Sequence, residues 1–368
     1  MPDHFGARVA APSAHTVAAE CPSLTDDVAR RVVLARRPRG IPTVEDFSLV
    51  DLAIPEPGTG EFLIEAHWLS ADPLQRWRMD ESAFQGATIP LGDTVWGRMV
   101  GRVAHSRHPE WAVGDWVEGM LGWQTHAISQ GQGTRAGYAP GVTRVDPALG
   151  PPSAALGVLG MPGLTAWCAM MDLCRPRPGE TVVVSAAAGT VGSLACQIAA
   201  LQGARVIGIA GGASKCRHLL DDLRVEAAID YKSEPDLAAA LRRLCPDGVD
   251  AYFDNVGGPV ADAVFSVLAR GARVALVGRV SQLTRSPNRI DRQEALIGSR
   301  AKLEGFIVYD HEHRFTEVRS QLAALLANGS LRHFETLHHG LEQAPQALID
   351  VLSGRGIGKH LIDVRRSH

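Results

Sequence analysis

Thr181-Val182-Val183-Val184-Ser185, followed at once by Ala186-Ala187-Ala188-Gly189-Thr190-Val191-Gly192, is the stretch that most constrains the fold. A run continuous in β-branched residues reads as a strand covered on both faces, since a half-exposed strand alternates apolar and polar positions. Helices must therefore lie above and below it. The glycine turn leads into one of them, expected over residues 193–202. The alternation then repeats, with a second strand at Arg205–Ala210, a third at Ala227–Asp230, a fourth at Val249–Asp254 and a fifth over 273–277. Strands separated by helical segments in this order predict an α/β unit built on a doubly wound parallel sheet.

The chain before that unit has another texture. From Arg31 to Val145, short apolar runs such as Phe62-Leu63-Ile64-Glu65-Ala66 and Met99-Val100-Gly101-Arg102-Val103 are broken by turns such as Val113-Gly114-Asp115-Trp116-Val117. Short strands at this spacing predict a barrel-like β unit. The texture changes near Pro151. After Phe315 come an amphipathic helix, a short strand over 334–338, another helix and the apolar Leu361-Ile362-Asp363-Val364. That tail is too small to stand alone and is expected to return to the β unit. Residues 1–28 are rich in Ala, Pro, Ser and His, lack the apolar core of a secretion signal and carry acidic residues, so they read as a flexible extension. The expected division is 1–28 extension, 29–155 completed by 316–368 as the β domain, and 156–315 as the nucleotide-binding domain.

Composition removes several functional classes. A net charge of −3, with no basic block interleaved with aromatics, argues against a nucleic-acid partner. No apolar run approaches the roughly 18 residues that span a bilayer. Cys21, Cys168, Cys174, Cys196, Cys216 and Cys245 form no CxxC pair and sit mostly in apolar stretches, which points to a reducing, cytoplasmic setting.

The glycine turn is the strongest chemical signal. It follows a buried strand and opens a helix, so Gly189 and Gly192 let backbone N–H groups approach a pyrophosphate at the positive end of the helix. An alanine, Ala187, takes the first glycine position of the usual fingerprint. A carboxylate at the end of the second strand would select NAD by accepting from the ribose hydroxyls. Here the run is Ala210-Gly211-Gly212-Ala213-Ser214-Lys215, which has no charge to repel a 2′-phosphate and a lysine to receive it. Read alone, Lys215 has a lesser alternative as a solvated surface lysine. Tyr231 and Lys232, after the third strand, fall on the same side of the sheet and would cap the phosphate, which favours NADPH. Asn255, in Phe253-Asp254-Asn255-Val256-Gly257-Gly258, is placed for the ribose or pyrophosphate, and Gly278 for close approach on the nicotinamide side.

With these residues in view, the chain resembles medium-chain dehydrogenase/reductases of the leukotriene B4 12-hydroxydehydrogenase/prostaglandin reductase group, with its curcumin-reductase-like and plant double-bond reductase members. The resemblance runs from Arg31 to Val364. Its more specific stretches are Leu69-Ser70-Ala71-Asp72-Pro73, Gly114-Asp115-Trp116-Val117, Leu121-Gly122-Trp123-Gln124, Gly160-Met161-Pro162-Gly163-Leu164-Thr165-Ala166, Asp230-Tyr231-Lys232 and Glu304-Gly305-Phe306. It implies a GroES-like β-barrel domain plus a Rossmann domain, an NADPH cofactor, reduction of α,β-unsaturated ketones or aldehydes, and a homodimer paired through a strand within 303–309. Family cofactor contacts fall on Met161, Thr165, Thr190, Val191, Lys215, Tyr231 and Asn255, and Phe306 joins the cofactor set. The chain departs from the family where Gly356 replaces an asparagine near the nicotinamide and where Leu283 and Gly298 replace pocket tyrosines. Trp96 stands in an otherwise glycine-rich stretch. Substrate identity is therefore left open.

A zinc-dependent relative would carry a Cys/His ligand trio in the barrel, yet no cysteine lies between Arg31 and Val145, so no metal is expected. His311, His313, His338 and His339 read as solvated. Hydride arriving at the β-carbon of an enone leaves charge on the carbonyl oxygen, which a hydrogen-bond donor stabilises. That donor is a ribose hydroxyl or a tyrosine. Of the four tyrosines, Tyr138, Tyr231, Tyr252 and Tyr309, the last is the catalytic candidate, with a packing role as its alternative. Quinone reduction, secondary-alcohol oxidation and non-catalytic NADPH binding fit the same residues.

Overall fold

The computed structural model describes residues 28–81, 88–131, 141–282 and 293–365. Leu283 and Tyr138 lie outside them, as does the expected N-terminal extension apart from Val28. The chain opens with β1 (Val28–Leu34) and β2 (Phe47–Ala53), an antiparallel pair. β3 (Phe62–Ser70), α1 (Pro73–Arg78), β4 (Met99–Ser106), β5 (Trp116–Gly119), β6 (His126–Ser129) and β7 (Thr143–Arg144) follow. Their sheet is antiparallel from β3 through β4 and β5 to β7, with β6 along the other edge of β3 at Phe62–Glu65. Phe62, Ile64 and Leu69 of β3 and Met99 and Val103 of β4 bury against Trp123, and each such side chain contributes about 1.5–3 kcal/mol on leaving water.

α2 (Met161–Cys168) leads into the second domain. There β8 (Thr181–Ser185), α3 (Thr190–Leu201), β9 (Arg205–Ala210), α4 (Ala213–Asp221), β10 (Ala227–Asp230), α5 (Leu237–Leu244), β11 (Val249–Asp254), α6 (Gly258–Phe265), β12 (Leu268–Leu276), α7 (Gln293–Ser299) and β13 (Lys302–Gly305) alternate as the sequence predicts. The sheet order is β10-β9-β8-β11-β12-β13, parallel throughout, which is the doubly wound Rossmann arrangement. Every residue of β8 is buried, because apolar clusters cover both faces of the sheet.

α8 (Phe315–Ala327), β14 (Glu335–His339), α9 (Ala344–Leu352) and β15 (Lys359–Asp363) complete the chain. β15 pairs antiparallel with β3, Ile362 opposite Leu69, so the tail does return to the barrel sheet.

Three local expectations are corrected. The helix after the glycine turn begins at Thr190 rather than Ser193, which puts Gly192 inside its first turn. The fifth strand is the second half of a longer β12, which a bulge interrupts. The edge strand stops at Gly305, and Tyr309 lies in a 3-10 turn, Val308–Arg314.

Candidate active site

Because the Rossmann strands are parallel, their carboxyl ends share one edge, where ligands of such sheets bind. Gly189 caps α3 there. The first N–H groups of a helix have no partner within it, so they face this edge as donors. A methyl group at Gly192 would run into the Ala186 carbonyl oxygen, which makes glycine obligatory for α3 to pack on the turn. Ala186 itself is left-handed at φ 48°, a conformation glycine adopts more cheaply. Thr190 is committed in part to another partner, its hydroxyl donating to the Gly358 carbonyl at 3.0 Å.

Across the sheet, Ser185 and Asp254 tie the ends of β8 and β11 together. The Tyr252 hydroxyl and the N–H groups of Val256 and Gly257 all donate to Asp254 Oδ1, at 2.8, 2.9 and 2.9 Å. Burial pushes the Asp254 carboxyl up, against the pull of those donors. Asn255 is fixed by this network: its Nδ2 donates to the Ser185 carbonyl at 2.8 Å and its N–H to Ser185 Oγ at 2.9 Å. At Gly278 a methyl would come within 2.8 Å of the Asn255 carbonyl oxygen, so the two turns touch through bare backbone.

The end of β9 carries no carboxylate. Asp230, at the end of β10, accepts from the N–H groups of Gly212 and Lys232 at 2.8 and 3.0 Å, and these bonds hold its carboxyl below the usual range. Tyr231 and the Lys232 stem lie over Gly211, and the Tyr231 ring is 45% exposed. Lys215, half-buried on α4, is depressed first by burial and then by the neighbouring Lys232 charge. Two like charges brought together at the edge of a cleft favour an anion between them.

Met161 and Thr165 lie on α2, each half-buried, and Val191 is half-buried on α3. Phe306 is more withdrawn, 7% exposed and stacked on His311 at 5.1 Å.

The barrel closes the other side. Gly358, in the loop before β15, bridges to Gly189 and donates its N–H to the Ala188 carbonyl at 2.9 Å. The next residue, Lys359, is 1% exposed and its ammonium pairs with Asp72, the N-cap of α1. Burial would raise the Asp72 carboxyl, but the Lys359 charge outweighs it and holds it low. Arg98, on the approach to β4, pairs with Glu118 of β5 at 2.5 Å, their side chains 8% and 10% exposed. Burial opposes the Arg98 charge, and the Glu118 carboxylate more than restores it. A second nitrogen of Arg98 donates to the Tyr309 hydroxyl at 3.2 Å, so a Rossmann-side tyrosine is held by a barrel-side arginine. Arg279, just past β12, lies over the Trp77 ring of α1 at 5.1 Å, and Arg78 over Trp96 at 5.8 Å. Arg98, Glu118, Lys359 and Asp72 are the residues that sequence reading missed as site components. Their pairings span 20 to 287 positions and leave no local pattern.

Among the described residues, one group of three possible metal ligands occurs: Cys168, Asp172 and His311, away from the barrel. It does not suit a cation. Arg314 already donates to both Asp172 oxygens at 2.8 and 2.7 Å, and burial pushes the Cys168 thiol up to about 11. The solvated reading holds for His313 and His339, which are exposed, and fails for the other two. His311 pairs with Asp172 at 3.2 Å, and His338 stacks on His360.

The barrel half, residues 30–136, matches the family of the N-terminal domain of oxidoreductases, and residues 190–324 match the zinc-binding dehydrogenase family. The chain is 39% identical over 343 residues to an NADPH-dependent curcumin reductase of Escherichia coli, covering 91% of this chain and 96% of that one. It is 35% identical to a 2-alkenal reductase (NADP(+)-dependent) of Nicotiana tabacum, covering 92% and 98%. A crystal structure of CurA in complex with NADPH from Vibrio vulnificus superposes with a TM-score of 0.84 at 40% identity, covering 92% of this chain and all of that one.

Proposed function

The chain belongs to the medium-chain dehydrogenase/reductase family, in the branch of the curcumin, 2-alkenal and prostaglandin reductases, and on that premise we propose that it reduces the C=C bond of an α,β-unsaturated ketone or aldehyde with NADPH. One observation carries the reading. An edge with paired lysines and no competing carboxylate at the end of β9 meets the barrel at Gly358, and the Tyr309 hydroxyl on the Rossmann side is held by the buried barrel arginine Arg98. When bound, NADPH supplies the hydride that goes to the β-carbon.

The residues act by binding and orientation. Lys215 and Lys232 receive the 2′-phosphate, with Tyr231 over it. Gly189, Thr190, Val191 and Gly192 present backbone to the pyrophosphate. Asn255 and Gly278 border the ribose and nicotinamide, Met161 and Thr165 flank them from α2, and Phe306 supports that side from behind. The Tyr309 hydroxyl, which accepts from Arg98, is the proposed donor to the developing enolate oxygen.

The proposed division is 29–155 with 316–368 for the barrel, and 156–315 for the NADPH domain. The proposed chemistry uses no zinc, in keeping with a sequence that offers no cysteine between Arg31 and Val145 for a Cys/His ligand trio. The edge of β13, which carries no further strand among the described residues, is the proposed homodimer contact, because an open edge invites pairing with a second copy. A cytoplasmic setting fits five described cysteines that are all free thiols, and no helix among the described residues is long and apolar enough to cross a membrane.

The test is NADPH consumption with a panel of enones and enals, with the mass and structure of each product determined. A saturated ketone supports the reading. An allylic alcohol, with the double bond intact, replaces it by carbonyl reduction. Tyr309→Phe is expected to lower kcat severalfold while leaving NADPH affinity unchanged, and an unaltered kcat returns Tyr309 to a packing role.

A further inference from the structure

A cavity of about 330 Å³ lies at the amino ends of β8, β11, β12 and β13, opposite the edge that faces the barrel. We propose that it is a second anion site, built for a polyphosphate. The reasoning starts from charge. Five cationic side chains line the cavity against two carboxylates.

The carboxylates are largely spent. Glu180 forms a two-pronged pair with Arg273 at 3.1 and 2.5 Å and also accepts from the Arg177 N–H at 2.9 Å. Asp250 accepts from the Thr181 N–H at 2.9 Å. Arg270 and Lys302 then have no ion pair within 4 Å among the described residues, and Arg177 acts on Glu180 only as a more distant charge, although all three reach the same small space. Arg273 keeps its Nε buried and without a hydrogen-bond partner among those residues. Cations gathered in one concave space raise the local potential, which attracts an anion.

The backbone is irregular where these residues enter. A π-helical turn, Ala169–Cys174, ends on Arg175 in the left-handed conformation at φ 46°, where glycine or asparagine is the usual choice. Between the pairs Val249/Leu268 and Ala251/Arg273, β11 advances two residues while β12 advances five, and the resulting bulge carries Arg270 and Gly271 to the cavity mouth. Bulges re-aim side chains and gather near binding sites. Two separate irregularities thus deliver arginines to one cavity, on the side of the sheet that the proposed reaction does not use. The volume admits two or three phosphate groups and is too small for a whole dinucleotide, whereas guanidinium forks suit phosphate oxygens.

Titration of the NADPH-saturated protein with inorganic pyrophosphate, and separately with ADP, tests the site with the coenzyme edge already filled. Binding of either supports the proposal, and the ratio of the two affinities says whether a free or a nucleotide-borne polyphosphate is preferred. Arg177→Ser with Arg270→Ser is expected to weaken that binding at least tenfold and leave NADPH affinity unchanged. Both side chains are exposed, so folding is not at stake. Arg270→Glu alone should act in the same direction. Absence of pyrophosphate and ADP binding, or binding that survives the double substitution, overturns the proposal.

Discussion

The two walls of the cleft are built by different means. On the Rossmann side, much of the edge is bare backbone, Gly192 on Ala186, Gly278 on Asn255 and Asp230 gathering the N–H groups of Gly212 and Lys232, with Ser185 tying in Asp254 and Asn255 from the neighbouring strand. On the barrel side, charged side chains meet across long separations, Arg98 with Tyr309 over 211 positions and Lys359 with Asp72 over 287. A wall made of backbone serves a ligand that stays the same, since few side-chain changes can alter it. A wall made of side chains can be altered one residue at a time without disturbing the sheet beneath, so selectivity for the acceptor belongs there.

The largest expected effect tests the side-chain wall. Arg98→Leu leaves the Glu118 carboxylate buried without its partner, and breaking such a pair costs about 3–5 kcal/mol. Arg98→Leu together with Glu118→Leu should recover most of that loss, because two apolar groups need no partner. Urea unfolding of the single and double variants measures both. A single variant as stable as the parent would mean that Glu118 is solvated and that the wall is not organised by this pair.

The backbone wall is broken next at Gly192. Gly192→Val forces α3 off the turn, and NADPH affinity is expected to fall by at least about 100-fold, equivalent to about 2.7 kcal/mol. Gly189→Ala is the control. A methyl there meets nothing closer than 3.3 Å and its backbone is extended, so affinity should stay within about threefold. Equal losses in the two variants would show that glycine content, rather than close approach at one position, governs the turn. Within the same wall, Lys215→Ala should raise KM for NADPH by roughly 10- to 100-fold, the worth of one charge-assisted contact, while leaving KM for NADH unchanged. Parallel increases for both coenzymes would remove the phosphate role from Lys215.

The contrast also explains what could be read from the chain. β8, β9 and β11 fall where the sequence places them, because a strand covered on both faces writes its burial into consecutive residues, and the half-buried edge strand β10 also falls as expected. The start of α3 was misplaced by three residues, since Thr190 and Val191 look like turn residues until the helix is seen to begin against Ala186. Glu118 reads as one polar residue in a β turn region, and Lys359 as a basic residue near the end of the chain. Only the fold brings each to its partner. The π-helical turn after α2 was equally silent, because its six residues carry an ordinary helical pattern.

The smallest effect joins the two walls. His360 is 4% exposed, faces His338 at 3.1 Å and approaches the Arg355 carbonyl at 3.0 Å, at the start of β15 and two residues past Gly358, which touches the glycine turn. Burial first, then the charges of His338 and Lys359, push His360 down to about 4, and the more distant Asp350 carboxylate does not compensate. A base depressed in the folded protein takes up protons more readily when unfolded, where histidine titrates near 6.5. Its contribution to stability is therefore complete above about pH 6.5 and is lost as pH falls toward 4. Between pH 7 and 6 the loss is less than about 1 kcal/mol. His338 and His67 are depressed as well, so the total slope is shared, and the share of His360 is the part that disappears in His360→Asn. Unfolding free energies of parent and variant at pH 7, 6 and 5 separate it. If the two curves run parallel, the buried ring does not couple proton uptake to this end of β15, and the contacts that join the barrel to the coenzyme edge, Thr190 with Gly358 and Arg98 with Tyr309, hold without it.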